Sequence, residues 1–209
     1  MARGKARTSA RREPSRRIAW IVLSLAAVVL LALALRAGLG GSAEPGSVYA
    51  SSPEAGSQAP DFVAEDVFGN RVSLSDFRGR PVVLWFMAAW CPSCIYASKI
   101  ISEATSGYED VVVIMVDLWS RDFLKELGIL DKPGYPPPDT RQDLINFYKA
   151  FDREEWIPIL DDGSITRLYK VRYIDTVFVI DREGNIVLGG GNVVTEDSLK
   201  RALAEAGAG

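Results

Sequence analysis

Cys91 and Cys94 are the only cysteines in 209 residues, and they stand together in Trp90-Cys91-Pro92-Ser93-Cys94. Two thiols separated by two residues close a small disulfide when the second lies one turn into a helix, which suits reversible two-electron exchange with another disulfide. Cys91 is the expected nucleophile. The start of a helix offers unpaired N–H groups and a partial positive charge, so it favours a thiolate over a thiol. Cys94, one turn away, would attack the resulting mixed disulfide and release the reduced partner. Pro92 suits the first turn, where its missing N–H is no loss. Trp90 and Ser93 line the site, Trp90 as an apolar wall. The competing reading is an inert staple at a helix start. A loop that short constrains the unfolded chain little, and staples matter most in domains without a core of their own. With 48% hydrophobic residues this chain has material for a core, which favours the redox reading.

The elements that must position the pair are legible around it. Pro81 to Phe86 is a continuous apolar run of strand length, as expected for a central strand buried on both faces, and it delivers the chain to Cys91. After the cysteines, Ala97, Ile100, Ile101 and Ala104 recur at helical spacing until Gly107. Phe62 to Leu74 reads as two short strands around the hairpin signal Gly69-Asn70. Val111 to Val116, Val177 to Ile180 and Ile186 to Leu188 read as further strands, the last two joined by the turn Asp181 to Asn185. Leu144, Phe147, Tyr148 and Phe151 form the apolar stripe of a helix that Asp139 or Thr140 would cap, and Thr195 to Ala206 reads as a terminal helix. The expected fold class is α/β: a central mixed sheet flanked by helices, preceded by the hairpin.

Composition narrows the chemistry. There is no histidine, which removes His-based general base catalysis and imidazole-ligated haem or zinc, and two cysteines cannot form a four-ligand structural zinc site. Of 24 Lys/Arg and 27 Asp/Glu, eight basic residues and one acidic residue fall within residues 1–36, so residues 37–209 carry a balance of −10. A body that acidic repels nucleic acid, and no nucleic-acid partner is expected.

The basic residues precede Ile18 to Leu35, an apolar run with Ser24 as its single polar residue. As a helix that run covers about 27 Å, close to the roughly 30 Å bilayer core. It exceeds the usual apolar region of a cleaved signal peptide, although Ala32-Leu33-Ala34 offers a small-x-small site, so an uncleaved anchor is the preferred reading. Basic residues before the span stay in the cytoplasm and place the rest on the outer face of the membrane. The expected organisation is a basic cytoplasmic segment over 1–17, a transmembrane signal anchor over 18–36, a flexible Gly/Ser/Ala/Pro linker over 37–59 and the folded domain over 60–209.

Several ordered motifs resemble the membrane-anchored thioredoxin-like proteins of the TlpA/ResA class: Ala59-Pro60-Asp61-Phe62, the stretch from Gly69 to Leu84, Trp90-Cys91-Pro92-Ser93-Cys94, and Phe178 to Ile186. The resemblance covers about residues 58–209. It implies a thioredoxin-like fold and an extracytoplasmic thiol-disulfide oxidoreductase, a reductant of exported proteins that include apocytochrome c, fed by a membrane thiol electron carrier. It implies no cofactor beyond the Cys91–Cys94 disulfide, and no metal.

Three departures from that class stand out. The class carries a cis proline facing the two cysteines; the corresponding surface here is Ile174-Asp175-Thr176, with Asp175 in the proline's place. A cis bond before a non-proline residue costs about 2.5–4 kcal/mol, so a trans peptide and a reshaped loop are expected. An Asp175 facing Cys91 would disfavour the thiolate or exchange a proton with Cys94. Trp85 stands where relatives carry a buried Asp or Asn as a proton relay, a duty that Asp175 could have taken over. Trp119 to Pro138 is longer than the usual connection and reads as a surface insertion, with a partner-docking rim as the alternative. Two other functions stay open at this level: a module holding a soft ion such as Cu(I) on the two thiols, and a peroxiredoxin-type peroxidase. The latter places Thr or Ser three residues before its cysteine, where this chain has Ala88.

Overall fold

The computed structural model describes residues 52–150, 155–191 and 195–209. The segments expected over 1–17 and 18–36, and most of the linker, lie outside the described residues. Among those described, no helix is long and apolar enough to cross a membrane.

The core is a five-stranded mixed sheet in the order β5-β4-β3-β6-β7. Its centre is β3 (Val82–Met87), every residue of which is buried. β4 (Val112–Asp117) and β5 (Ile157–Leu160) run parallel to it on one side; on the other, β6 (Thr176–Ile180) pairs with it antiparallel and β7 (Ile186–Gly191) pairs antiparallel with β6. A separate two-stranded ribbon pairs β1 (Val63–Glu65) with β2 (Arg71–Ser73). Gly69 turns that ribbon at φ 92°, a conformation that a residue without Cβ adopts freely.

Helix α1 (Pro92–Thr105) begins one turn beyond β3 and packs against α5 (Glu196–Glu205), which also lies on β6 and β7. α2 (Arg121–Glu126) lies within the long connection after β4, α3 (Arg141–Lys149) packs on β5, and α4 (Ser164–Leu168) leads to the loop before β6. Thr140 caps α3: its hydroxyl accepts from the Asp143 N–H, and the Asp143 carboxylate bonds back to the Thr140 N–H. Thr195 caps α5.

Two differences from the sequence reading concern boundaries. Residues 56–59, within the expected linker, are bonded to the start of β7 and its turn: Gly56 N–H donates to Ile186 O, Ile186 N–H to Ser57 O and Ala59 N–H to Gly184 O. Ala59 is buried. The folded body therefore begins before residue 60, because a Gly/Ser-rich composition does not prevent backbone pairing along a sheet edge. The second difference is β5, which the sequence reading omitted. Pro158 lies inside it, and a proline is tolerated in a strand where no ladder partner needs its N–H, as here at the sheet edge.

Candidate active site

The turn between β3 and α1 is built by hydrogen bonds from both ends. Cys91 N–H donates to Ala88 O at 3.1 Å and Cys94 N–H to Cys91 O at 3.2 Å. Cys91 is the N-cap of α1, with extended backbone at φ −82° and ψ 121°, and Pro92 occupies the first turn. Both cysteines are free thiols and both are buried, Cys94 completely. The sequence placed Cys91 at a helix N-terminus with Cys94 one turn in, and the backbone has that arrangement.

The surface opposite carries Asp175. No cis peptide bond occurs among the described residues, in line with the trans peptide expected at this position, and Asp175 sits at φ 64°. That left-handed conformation is rare outside glycine, but short carboxylate and amide side chains tolerate it. The loop is closed by Thr176, whose buried hydroxyl donates to Tyr173 O at 2.7 Å. Ile174 is half-buried against the core. Ile174 and Thr176 thus frame the loop, while Asp175 is the member that reaches the cysteines.

Its carboxylate is held from two directions. Ser93 Oγ donates to Oδ2 at 2.5 Å, and the fully buried Trp85 indole N–H donates to Oδ1 at 3.3 Å. Ser93 Oγ also lies 3.0 Å from Cys91 Sγ. The sulfurs of Cys91 and Cys94 and a carboxylate oxygen of Asp175 all fall within 4.8 Å of one another. Burial pushes the Cys94 thiol well above its ordinary range; a bond with the Ala88 backbone works against that, and Asp175 and Cys91 add to it. A thiol held in this way is a poor nucleophile until a base accepts its proton, and Asp175 is the carboxylate at hand.

A second cluster supports the turn from its other side, and the sequence reading missed it. Asp117, at the end of β4, and Asp139, at the end of the long connection, converge on the Ala89 N–H, two residues before Cys91. Ala89 N–H donates to Asp139 Oδ2 at 2.8 Å and to Asp117 Oδ2 at 3.3 Å. Asp117 is also bonded by the Trp119 N–H at 2.9 Å. Both carboxyls are buried. Burial raises Asp139 to about 6, against the opposing bond from the Ala89 N–H, and burial together with the charge of Asp139 raises Asp117. Two carboxyls this close share a proton rather than ionise together. One clue was available in the sequence: Asp117 is a lone carboxylate ending an apolar strand.

The connection itself is docked against the turn. Phe123 and Leu124 of α2 are buried, Asp139 N–H donates to Trp119 O at 2.9 Å and ties the two ends of the segment together, and the Trp119 indole N–H donates to Pro136 O. Trp119 meets Trp90 edge to face with ring centres 5.1 Å apart. Trp90 then forms a wall of an open pocket of about 330 Å³ with Pro137, Pro138, Asp139 and Phe147 among its lining. The segment read as a surface insertion thus supplies the aromatic that braces the turn, and the residue directly after it, Asp139, supplies a carboxyl.

Comparison with known proteins agrees with this geometry. Residues 55–188 match the AhpC/TSA family. The chain is similar to the thiol-disulfide oxidoreductase ResA of Bacillus thuringiensis subsp. konkukian, with 28% identity over 150 residues covering 72% of this chain and 77% of the relative. ResA of Bacillus subtilis is 26% identical over 144 residues, covering 69% and 71%. Among solved structures, a thioredoxin-like protein from Aeropyrum pernix aligns with a TM-score of 0.64 and 36% identity, covering 69% of this chain and 89% of that one. A putative thiol:disulfide interchange protein DsbE from Chlorobium tepidum aligns with a TM-score of 0.58 and 26% identity, covering 74% and 99%.

Proposed function

The chain belongs to the AhpC/TSA family, among its ResA/TlpA-like thioredoxin-fold thiol-disulfide oxidoreductases, and from that footing we propose that it is a membrane-anchored, extracytoplasmic reductant of disulfides in exported proteins, apocytochrome c among them. The observation that carries the reading is the placement of the Cys91 and Cys94 sulfurs and the Asp175 carboxylate within 4.8 Å of one another at the start of α1.

In the reductive direction the Cys91 thiolate attacks one sulfur of the partner's disulfide, forming a mixed disulfide and expelling the partner's other sulfur as a thiolate. Cys94 passes its proton to Asp175 and its sulfur attacks Cys91 Sγ. The Cys91–Cys94 disulfide forms, the bond to the partner breaks, and the partner leaves with two more electrons. A membrane thiol carrier then reduces the Cys91–Cys94 disulfide by the same exchange, and no cofactor other than that disulfide is needed. Trp85 and Ser93 keep the Asp175 carboxylate aimed at the thiols.

Anchoring, and with it a domain on the outer face, is supported by the apolar run from Ile18 to Leu35 behind a basic segment. The peroxidase alternative lacks its hydroxyl: position 88 is a buried alanine.

The test uses the full-length chain in membranes. Cys94→Ala should accumulate mixed disulfides through Cys91 with exported proteins, and a redox titration of the wild type should give a potential low enough to reduce them. A potential near that of strong oxidants, with no trapped partner, would reverse the direction of electron flow.

A further inference from the structure

We propose that Cys91, Cys94 and Asp175 form a three-donor site for a single Zn²⁺ ion whenever the two thiols are not joined to each other. The donor set is one nitrogen-free S₂O cluster with each pair of ligand atoms within 4.8 Å. Around a tetrahedral zinc, with Zn–S near 2.3 Å and Zn–O near 2.0–2.2 Å, ligand atoms stand roughly 3.5–3.8 Å apart. Closing to that separation requires shifts of about 1 Å at most, within the reach of side-chain torsions. The fourth position would be filled by water from the exposed side of the turn, where Pro92 and Ser93 lie.

The carboxylate is already oriented. Trp85 and Ser93 each donate to one of its oxygens, leaving further lone pairs for an ion. Such partners fix the direction of a ligand and strengthen it.

Charge and hardness select the ion. Two thiolates and a carboxylate bring three negative charges into a site whose bonding neighbours, Trp85 and Ser93, are neutral. A divalent cation offsets two of them and a monovalent one offsets a single charge. Cu(I) gains little from a hard oxygen donor, whereas zinc accepts thiolate and carboxylate together. The third donor therefore shifts the preference from the Cu(I) expected of a bare thiol pair towards Zn²⁺. Binding displaces the thiol protons to solvent, with no change of oxidation state. A bound ion occupies both sulfurs, so metal-bound and disulfide forms exclude each other.

The test is a titration of the reduced full-length chain, stripped with chelator and returned to chelator-free buffer, with Zn²⁺ against a chromophoric competitor. The expected result is one ion per chain with submicromolar affinity and both thiols protected from alkylation. Cys94→Ser should abolish binding, Asp175→Asn should weaken it at least about tenfold, and the oxidised protein should not bind. Equal affinity in Asp175→Asn, tighter retention of Cu(I) with no dependence on Asp175, or binding that survives oxidation would each overturn the site. Disulfide exchange measured separately in excess chelator reports on the redox function alone, so failure of one does not count against the other.

Discussion

The turn carrying Cys91 is flanked by carboxylates on two sides, and the two sides are built differently. Asp175 is half-buried, stands on a left-handed loop residue, and faces sulfur through donors that leave it room for a proton or an ion. Asp117 and Asp139 are buried, face each other, and spend their bonds on backbone N–H groups, sharing that of Ala89. The same side chain serves in one place as a reactive neighbour of the thiols and in the other as a clamp on the chain that holds them. What separates the roles is the partner each carboxyl meets and how much water reaches it.

Substitutions that break this contrast should be graded. The largest effect is expected from Asp175→Pro, because proline requires φ near −65° and this residue sits at φ 64°. A loss of about 3 kcal/mol or more in a denaturant titration is expected; an unchanged midpoint would mean that the loop conformation is not demanded by the fold. Asp175→Asn keeps a residue that tolerates the left-handed conformation while removing the charge and the proton acceptor. Release of a trapped partner by Cys94 should slow by about 10²-fold in rapid-mixing kinetics at neutral pH, and Cys94 should titrate lower, because Asp175 is among the groups that hold its thiol up. Unchanged kinetics and titration would remove Asp175 from the mechanism.

On the other side the readout is pH. Asp139 is raised from an ordinary 3.8 to about 6, so between those values the folded chain holds a proton that the unfolded chain has lost. Its contribution to stability is present in full below about 3.8 and is lost as pH rises through 6. Asp117, raised as well, adds a loss of the same sign. Asp139→Asn should flatten the curve by about 1–2 kcal/mol after allowance for solvent screening, measured as unfolding free energy between pH 4 and 7; a curve that keeps its slope would place the shared proton elsewhere. The smallest effect is expected for Trp90→Ala, which loses the edge-to-face contact with Trp119, about 0.5–1.5 kcal/mol. Thermal melting checks it, and a destabilisation well beyond that range would assign Trp90 a larger structural part than one ring contact.

Much of this arrangement is readable in the chain, and for specific reasons. A strand buried on both faces must be apolar throughout, so Pro81 to Phe86 announces β3, and the helical spacing after Cys94 announces α1. These local patterns alone put Cys91 at a helix start. The position of Asp175 opposite the thiols followed from the resemblance, but its left-handed backbone did not, since φ at a non-glycine residue depends on closure of the whole loop. The Asp117–Asp139 pair was hidden for a similar reason: its members belong to a strand end and to the far side of a proline-rich connection, and neither segment predicts where the other folds. Asp139 even looked like a helix cap, a role that Thr140 fills. β5 was obscured by Pro158, a residue that argues against a strand unless the strand is known to lie at an edge.

The two edges of the sheet carry a consequence for how a substrate can approach. At β5, Pro158 has no N–H to offer and its carbonyl already accepts from Val67. At the opposite edge, residues 56–59 run along the start of β7 and its turn and occupy backbone groups there. A thiol-disulfide oxidoreductase meets disulfide-bearing proteins, and an exposed extended segment of such a partner adds readily to an open sheet edge. These engaged groups disfavour strand addition at either margin and leave the thiol turn, where contact ends when the disulfide is exchanged, as the meeting point.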